Sequence, residues 1–348
     1  MKMKYVLLLI GISIIALTSM TCHAPTEPPT GADTTSNDWT FTVNKLGDGN
    51  SSQLFDVSIV NDTLAYAVGA IYRKDSSGNF DPNAYNLAKW DGRNWQLLHL
   101  PFYIFWGQQF KASVPTQAIW AFNGSEIWIA SSNSQIAVWN GDSETSVMSV
   151  PIAVNKLWAA GENEIYAAGP LGQLALYNGS TWQKVQSGTS LNFYDIYGLG
   201  GQVLAVASNP FSSFESEIVQ LSGTNATTIS DNPITGSLMG VWFVPGQQYY
   251  VVGSGVYEKK TLSDASWSAD AVDSSQTFMQ GVRGNAANDV FVVGSFGQIW
   301  HFNGKTWRSY LNQTAVQNGG YGSVAVKGNL VIAVGQDNPY AVAAIGRR

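Results

Sequence analysis

Short apolar runs stopped by Gly, Ser or Asn-Gly recur along this chain. Residues 288–307 give the clearest instance: NDVFVVGSFGQIWHFNGKTW. Residues 290–293 are rich in β-formers and stop at Gly294. Residues 298–302 form a second run, and a third begins at Lys305 and carries Trp307. The pattern predicts three strands. Between the last two, Asn303-Gly304 predicts a two-residue type I′ turn, in which both central residues need positive φ. Three strands alone leave their faces uncovered, so the sheet needs copies of itself to stack against. Residues 163–182 (NEIYAAGPLGQLALYNGSTW) and 125–141 (SEIWIASSNSQIAVWNG) supply them. Self-similarity at a period of about 40 residues, with several strands per repeat, predicts a β-propeller.

The same place, the end of the second strand, is marked in successive repeats by Gly69, Ser131, Gly169, Ser208, Gly253, Gly294 and Gly335. Residues 38–45 (DWTFTVNK) read as the Trp-bearing last strand of a repeat, standing alone at the front. The final repeat, from Tyr321, stops after its third strand. A ring closes when the spare strand fills that gap and no open edge remains. The expectation is an all-β, seven-bladed β-propeller over residues 38–348, closed by pairing the N-terminal strand with the C-terminal blade. Repeats four and five fit the phrase least well, and six blades with one irregular segment is the alternative.

Composition sharpens this picture. Hydrophobic residues make up 45% of the 348 residues, enough for a core, while 35 Gly and only 12% charged residues suit an extracytoplasmic all-β protein rich in turns. The net charge of −6 argues against nucleic acid as a partner, because phosphate neutralisation needs a basic face. Lys2 and Lys4 precede an apolar stretch over residues 5–17. That stretch is too short for a membrane span and predicts a signal peptide over residues 1–21. Residues 22–37, rich in Pro, Thr and Ser, predict a flexible tether. Cys22 is the only cysteine, so no disulfide can form within one chain.

Two resemblances extend the reading. A lone Cys just after an apolar segment resembles the lipobox of bacterial lipoproteins, although Met20 and Thr21 stand before it where smaller residues are usual. The resemblance implies lipidation of Cys22, export to the cell envelope (periplasmic or surface) and membrane contact through the lipid alone. The Gly-x-x-x-x-Tyr-Asn-Gly-x-x-Trp phrase at 172–182, with 297–307 close to it, resembles the blades of bacterial secreted propellers related to sialidase-type and photosystem-assembly-factor-like repeats. That resemblance covers the mature chain and implies the fold; propellers host many activities. The Asp-Gly and Asn-Gly turns before Trp95 and Trp307 are one residue shorter than a sialidase Asp-box and read as structural turns.

Candidate chemistry sits where the phrase is interrupted. In a propeller, loops joining second to third strands and each blade to the next share one face, usually the functional one. Two insertions, residues 70–85 and 99–116, both fall there. They carry Tyr72, Phe80 and Tyr85, then Phe102, Tyr103, Phe105 and Trp106; a third long loop, 209–216, adds Phe211 and Phe214. Aromatic clusters on loops can stack on sugars or anchor a protein partner, or pack beneath the loops as a satellite cluster. The expected function is a monomeric binding module for a glycan or a protein. A glycan-active enzyme (hydrolase, lyase or glycosyltransferase) and a structural scaffold of an envelope complex are the alternatives.

Little supports catalysis. Of six arginines, only Arg73 and Arg283 could reach the site, too few for the three that a sialidase converges on a carboxylate. There is no Asp-x-Asp triplet, P-loop or Gly-x-Ser-x-Gly elbow. His23, His99 and His301 are too scattered for a metal cluster or a triad. Residues 75–81 space oxygen ligands alternately but lack the order of a calcium loop and read as a polar turn. Asp195, in a channel strand, and Glu215 and Glu217, near the long loop of blade four, are the weak candidates for an acid–base pair, and solvated loop carboxylates are the commoner case. No cofactor, metal or catalytic residue is expected.

Overall fold

The computed structural model describes residues 34–348 apart from 144, 211–214, 271 and 273–277. The expected signal peptide, Cys22 and all but the last few residues of the expected tether lie outside the described residues, as do Phe211 and Phe214.

Seven four-stranded antiparallel sheets form the blades. Blade one runs outward as Gln53–Asn61, Leu64–Ile71, Tyr85–Trp90 and Trp95–Leu98. The innermost strands of the other blades are Thr116–Asn123, Lys156–Gly161, Asn192–Leu199, Leu238–Val244, Met279–Ala286 and Gly319–Lys327. Each of these packs beside the next, and the last returns to the first, so the ring is closed. The expected seven blades are all present, including the two with weakly matching repeats. Closure is also as expected: Thr40–Leu46 pairs antiparallel with Tyr340–Arg347, from Thr40↔Arg347 to Leu46↔Ala341, and completes blade seven.

Second strands are buried on both faces because each blade is covered by two neighbours. In Leu64–Ile71, Ala65 and Ala67 pack with Ile332 and Val334 of blade seven, while Tyr66 and Val68 pack with Ile119 and Ile129 of blade two. Period-2 alternation thus feeds two interfaces instead of one core and one solvent face. Each Val or Ile so buried contributes roughly 1.5–3 kcal/mol. The marker glycines stand at or near the ends of these strands for a steric reason. A Cβ on Gly335 would lie 1.9 Å from the Gly320 carbonyl oxygen, and one on Gly169 the same distance from that of Ala153.

The turns depart from expectation. Gly304 has φ 95°, but Asn303 does not share a positive φ. Instead the Asn303 side-chain oxygen accepts from the backbone N–H groups of Lys305 and Thr306, at 3.0 and 2.9 Å. Asp91 and Asn178 do the same for the two N–H groups that follow their own glycines. These are side-chain-capped Asx turns. At the opposite end of the blades, the second-to-third-strand turns of blades three and six have positive φ at both centres: Leu171-Gly172 (54° and 72°) and Phe296-Gly297 (59° and 85°).

The chain enters at a defined edge. Thr35 donates from its N–H to the Asn303 carbonyl and from its hydroxyl to the Asn288 carbonyl. His301, fully buried, bridges Asn37 and Asp289, and Arg348 grips the same Asp289 carboxylate at 2.7 Å. The first described residues and Arg348 are therefore tied to blade six, beside the loops that follow its first and third strands.

Candidate functional site

Up-and-down strands place the loops that follow second and fourth strands on one face, here called the upper face. The two insertions meet there. The second folds into a two-stranded ribbon, Pro101–Tyr103 against Lys111–Ser113, that raises residues 104–110 as a finger. Its base is fixed by Asn86, fully buried, whose side-chain amide donates to the carbonyls of Leu100 and Val114 and accepts from Leu100 N–H. Ser113 donates to the Ala84 carbonyl in the first insertion, and Tyr85 stacks on His99 at 3.9 Å. From blade two, Gln135 both accepts from the Tyr103 N–H and donates to its carbonyl. The finger is thus braced by both insertions and by the next blade.

The expected aromatics separate into three groups. Phe102 is a correction: it is fully buried and packs with Leu87, Leu100 and Ile119. The ribbon alternates sides, so its middle residue points into the interface beneath and cannot meet a ligand. Tyr72, Phe80, Tyr85 and Tyr103 are half-buried. Phe80 lies under Lys74 and Tyr103 under Lys111, with the ammonium nitrogens 5.0 and 4.5 Å from the ring centres. Phe105 and Trp106 stand at the tip, 65% and 53% exposed.

Sequence reasoning missed four partners of that pair. Ile104 and Phe110 complete the finger's apolar tip, and Leu171 and Phe296 crown the hairpin turns of blades three and six. Among the described residues, these six are the large hydrophobics that are exposed, and all lie on the upper face. Leu171 and Phe296 occupy left-handed positions where Asn or Gly is the ordinary choice. Holding a bulky apolar residue in that conformation costs about 1–2 kcal/mol. The signal was present in the Pro-Leu-Gly-Gln and Ser-Phe-Gly-Gln stretches, which put a bulky apolar residue where a tight turn wants a small or polar one.

A second feature of the upper face is the mouth of the central channel. At the start of the innermost strand, the register slips by one residue in six blades. The extra residues are Phe55, Gln117, Tyr194, Met239, Gln280 and Gly322, and Asn155 takes the equivalent place in blade three. A bulge re-aims a side chain away from the pleat. Here each blade turns one residue into a shared cup of ≈250 Å3. The burial pattern repeats with it: six of the seven positions are half-buried and Gly322 is exposed, while the residues before and after lie deeper in all but blade three.

Ion pairs close the channel below the cup. Arg283 forms two 2.8 Å bonds to Asp195, whose carboxylate also accepts from Val241 N–H at 3.0 Å. Lys156 and Ser323 both donate to Asp56, at 2.5 and 2.8 Å. Burial works against the Arg283 charge, but the paired Asp195 carboxylate outweighs it and holds the guanidinium above its ordinary value. Only ≈20 Å3 of void remains among these groups. Asp195 is committed to this clamp, which leaves it no oxygen for acid–base work.

Glu215, Glu217 and Asp231 line a ≈720 Å3 groove on the blade-four side of the upper face. Asp75 accepts from the N–H groups of Ser77 and Asn79, so its loop is a self-capped turn. Among the described residues no group of three or more His, Cys, Asp or Glu is placed to hold a metal.

No protein-family profile and no curated protein sequence matches this chain. Solved structures do match in shape. A structure of YCF48 bound to D1 peptide superposes with a TM-score of 0.67 at 15% identity, over 90% of this chain and 98% of that one. YCF48 from Cyanidioschyzon merolae gives 0.62 at 13%, over 87% and 98%. The WD40 repeats of RRP9 give 0.63 at 10%, over 88% and 98%. At these identities the likeness establishes the architecture: the chain is a seven-bladed β-propeller with structural neighbours of the YCF48 kind.

Proposed function

We propose that this protein is an exported, lipid-anchored interaction module that binds a protein partner through its upper face. One observation carries the reading: the six exposed large hydrophobic residues among those described share that face, and four of them tip a finger braced at its base. Rigidly presented Trp and Phe side chains are the anchors that dominate protein interfaces. The opposite face carries self-capped polar turns at Asp91, Asn178 and Asn303. A neighbour of this shape is described as bound to a peptide, which supports a polypeptide partner. Lipidation of Cys22 and location in the cell envelope belong to the same proposal.

The test places a photo-crosslinking amino acid at Phe105 or, on the opposite face, at Lys305 in cells that make the protein. A discrete protein adduct from position 105, lost when Trp106 and Phe110 are changed to Ala, is expected. No adduct from 105, or equal adducts from both faces, overturns the reading. For the anchor, labelling with a fatty-acid probe is expected in the native chain and absent in Cys22→Ala.

A further inference from the structure

We infer that the cup at the channel mouth is a separate binding site for one uncharged, polyhydroxylated ring, a monosaccharide unit. The inference does not depend on the protein-binding role of the finger. It rests on shape, charge and unspent hydrogen-bonding capacity. The cup is closed beneath by the Asp195–Arg283 and Asp56–Lys156 pairs. It is therefore a dead end that takes a compact group and cannot pass a continuous chain. No charged side chain lines it, and the charges below already satisfy one another. A charged ligand would lose its hydration without gaining a counter-charge.

What the cup offers is amide and aromatic surface. Gln53, Gln117 and Gln280 line it and make no side-chain hydrogen bond within the described residues. Each side-chain amide presents donors and an acceptor side by side, the arrangement that adjacent hydroxyl groups of a sugar match. Phe55, Tyr194 and Met239 supply apolar surface for the C–H face of such a ring. The bulges explain why these residues meet. Without the one-residue slip, Phe55, Gln117, Tyr194, Met239 and Gln280 would remain in the pleat and out of the channel mouth. Gly322 leaves the blade-seven side open, which gives the ligand room.

Saturation-transfer NMR with D-glucose, D-galactose and N-acetyl-D-glucosamine tests the assignment on the folded propeller. Transfer to at least one of the three is expected, with glucuronate and glucosamine weaker. Gln117→Ala and Gln280→Ala are each expected to weaken binding by about five- to tenfold. Gly322→Leu is expected to abolish it by filling the cup. The fold should tolerate that change, because Gly322 is exposed, lacks a positive φ, and a Cβ there meets only Gln280 Oε1 at 3.8 Å. An unchanged melting temperature confirms that binding and not folding was lost. Phe105→Ala/Trp106→Ala should leave the sugar signal intact, which separates this site from the finger. Absence of transfer from all three sugars overturns the assignment, and so does transfer that persists in Gly322→Leu.

Discussion

Two aromatic residues three positions apart, Phe102 and Phe105, have opposite roles. Phe102 fills the interface between blades one and two, whereas Phe105 is 65% exposed. Truncating a buried Phe costs about 3–5 kcal/mol, so Phe102→Ala should lower the midpoint of denaturant unfolding markedly. Trp106→Ala should move it by no more than about 0.5 kcal/mol. The run PFYIFW gives no hint of this difference, because only the ribbon's pairing decides which side chains turn inward. Asp289 makes a second prediction at this scale. Burial raises its carboxyl, but hydrogen bonds from His301 and Asn285 and the charge of Arg348 outweigh burial and hold it below the usual range. A carboxyl depressed in the folded state stabilises above its unfolded value, about 3.9, and that contribution fades as pH falls through the folded value. Asp289→Asn should therefore be less stable than the native chain at neutral pH. The gap should narrow below about pH 4, as read from melting temperature against pH.

At the level of the element, the turns decide which side chains are spent on structure and which stand exposed. The Asn-Gly phrases were the loudest signal along the chain, yet Asn303, Asp91 and Asn178 use their side chains to cap their own turns. The tighter turns carry Leu171 and Phe296 at left-handed φ. Asn fits that conformation better than either. Leu171→Asn and Phe296→Asn should each stabilise the fold by a few tenths to about 1 kcal/mol in chemical denaturation, while weakening partner capture. A loss of stability from both would mean that the apolar tips pack in the free protein. The bulges lie at the limit of what sequence conveys. A one-residue bulge carries no composition signature of its own, yet in five blades it moves a side chain into the channel mouth. The cup was therefore invisible in the sequence, even though the strands that form it were not.

For the whole molecule, the architecture was readable because it is one phrase repeated, and repetition survives the loss of individual matches. Blades four and five fold like the rest because each blade needs only to cover its neighbours. Closure depends on Thr40–Leu46, and removing residues 1–46 leaves Tyr340–Arg347 as an unpaired edge. Exposed edges template association, so that truncation should elute as oligomers or aggregate in size-exclusion chromatography. The same seam has a further consequence. Thr35 and Asn37 are bonded to the loops around Asn288, Asn303 and His301, at the end of blade six away from the finger and the cup. The first described residues thus lie at the lower end of the blades, and the six exposed large hydrophobics stand at the other.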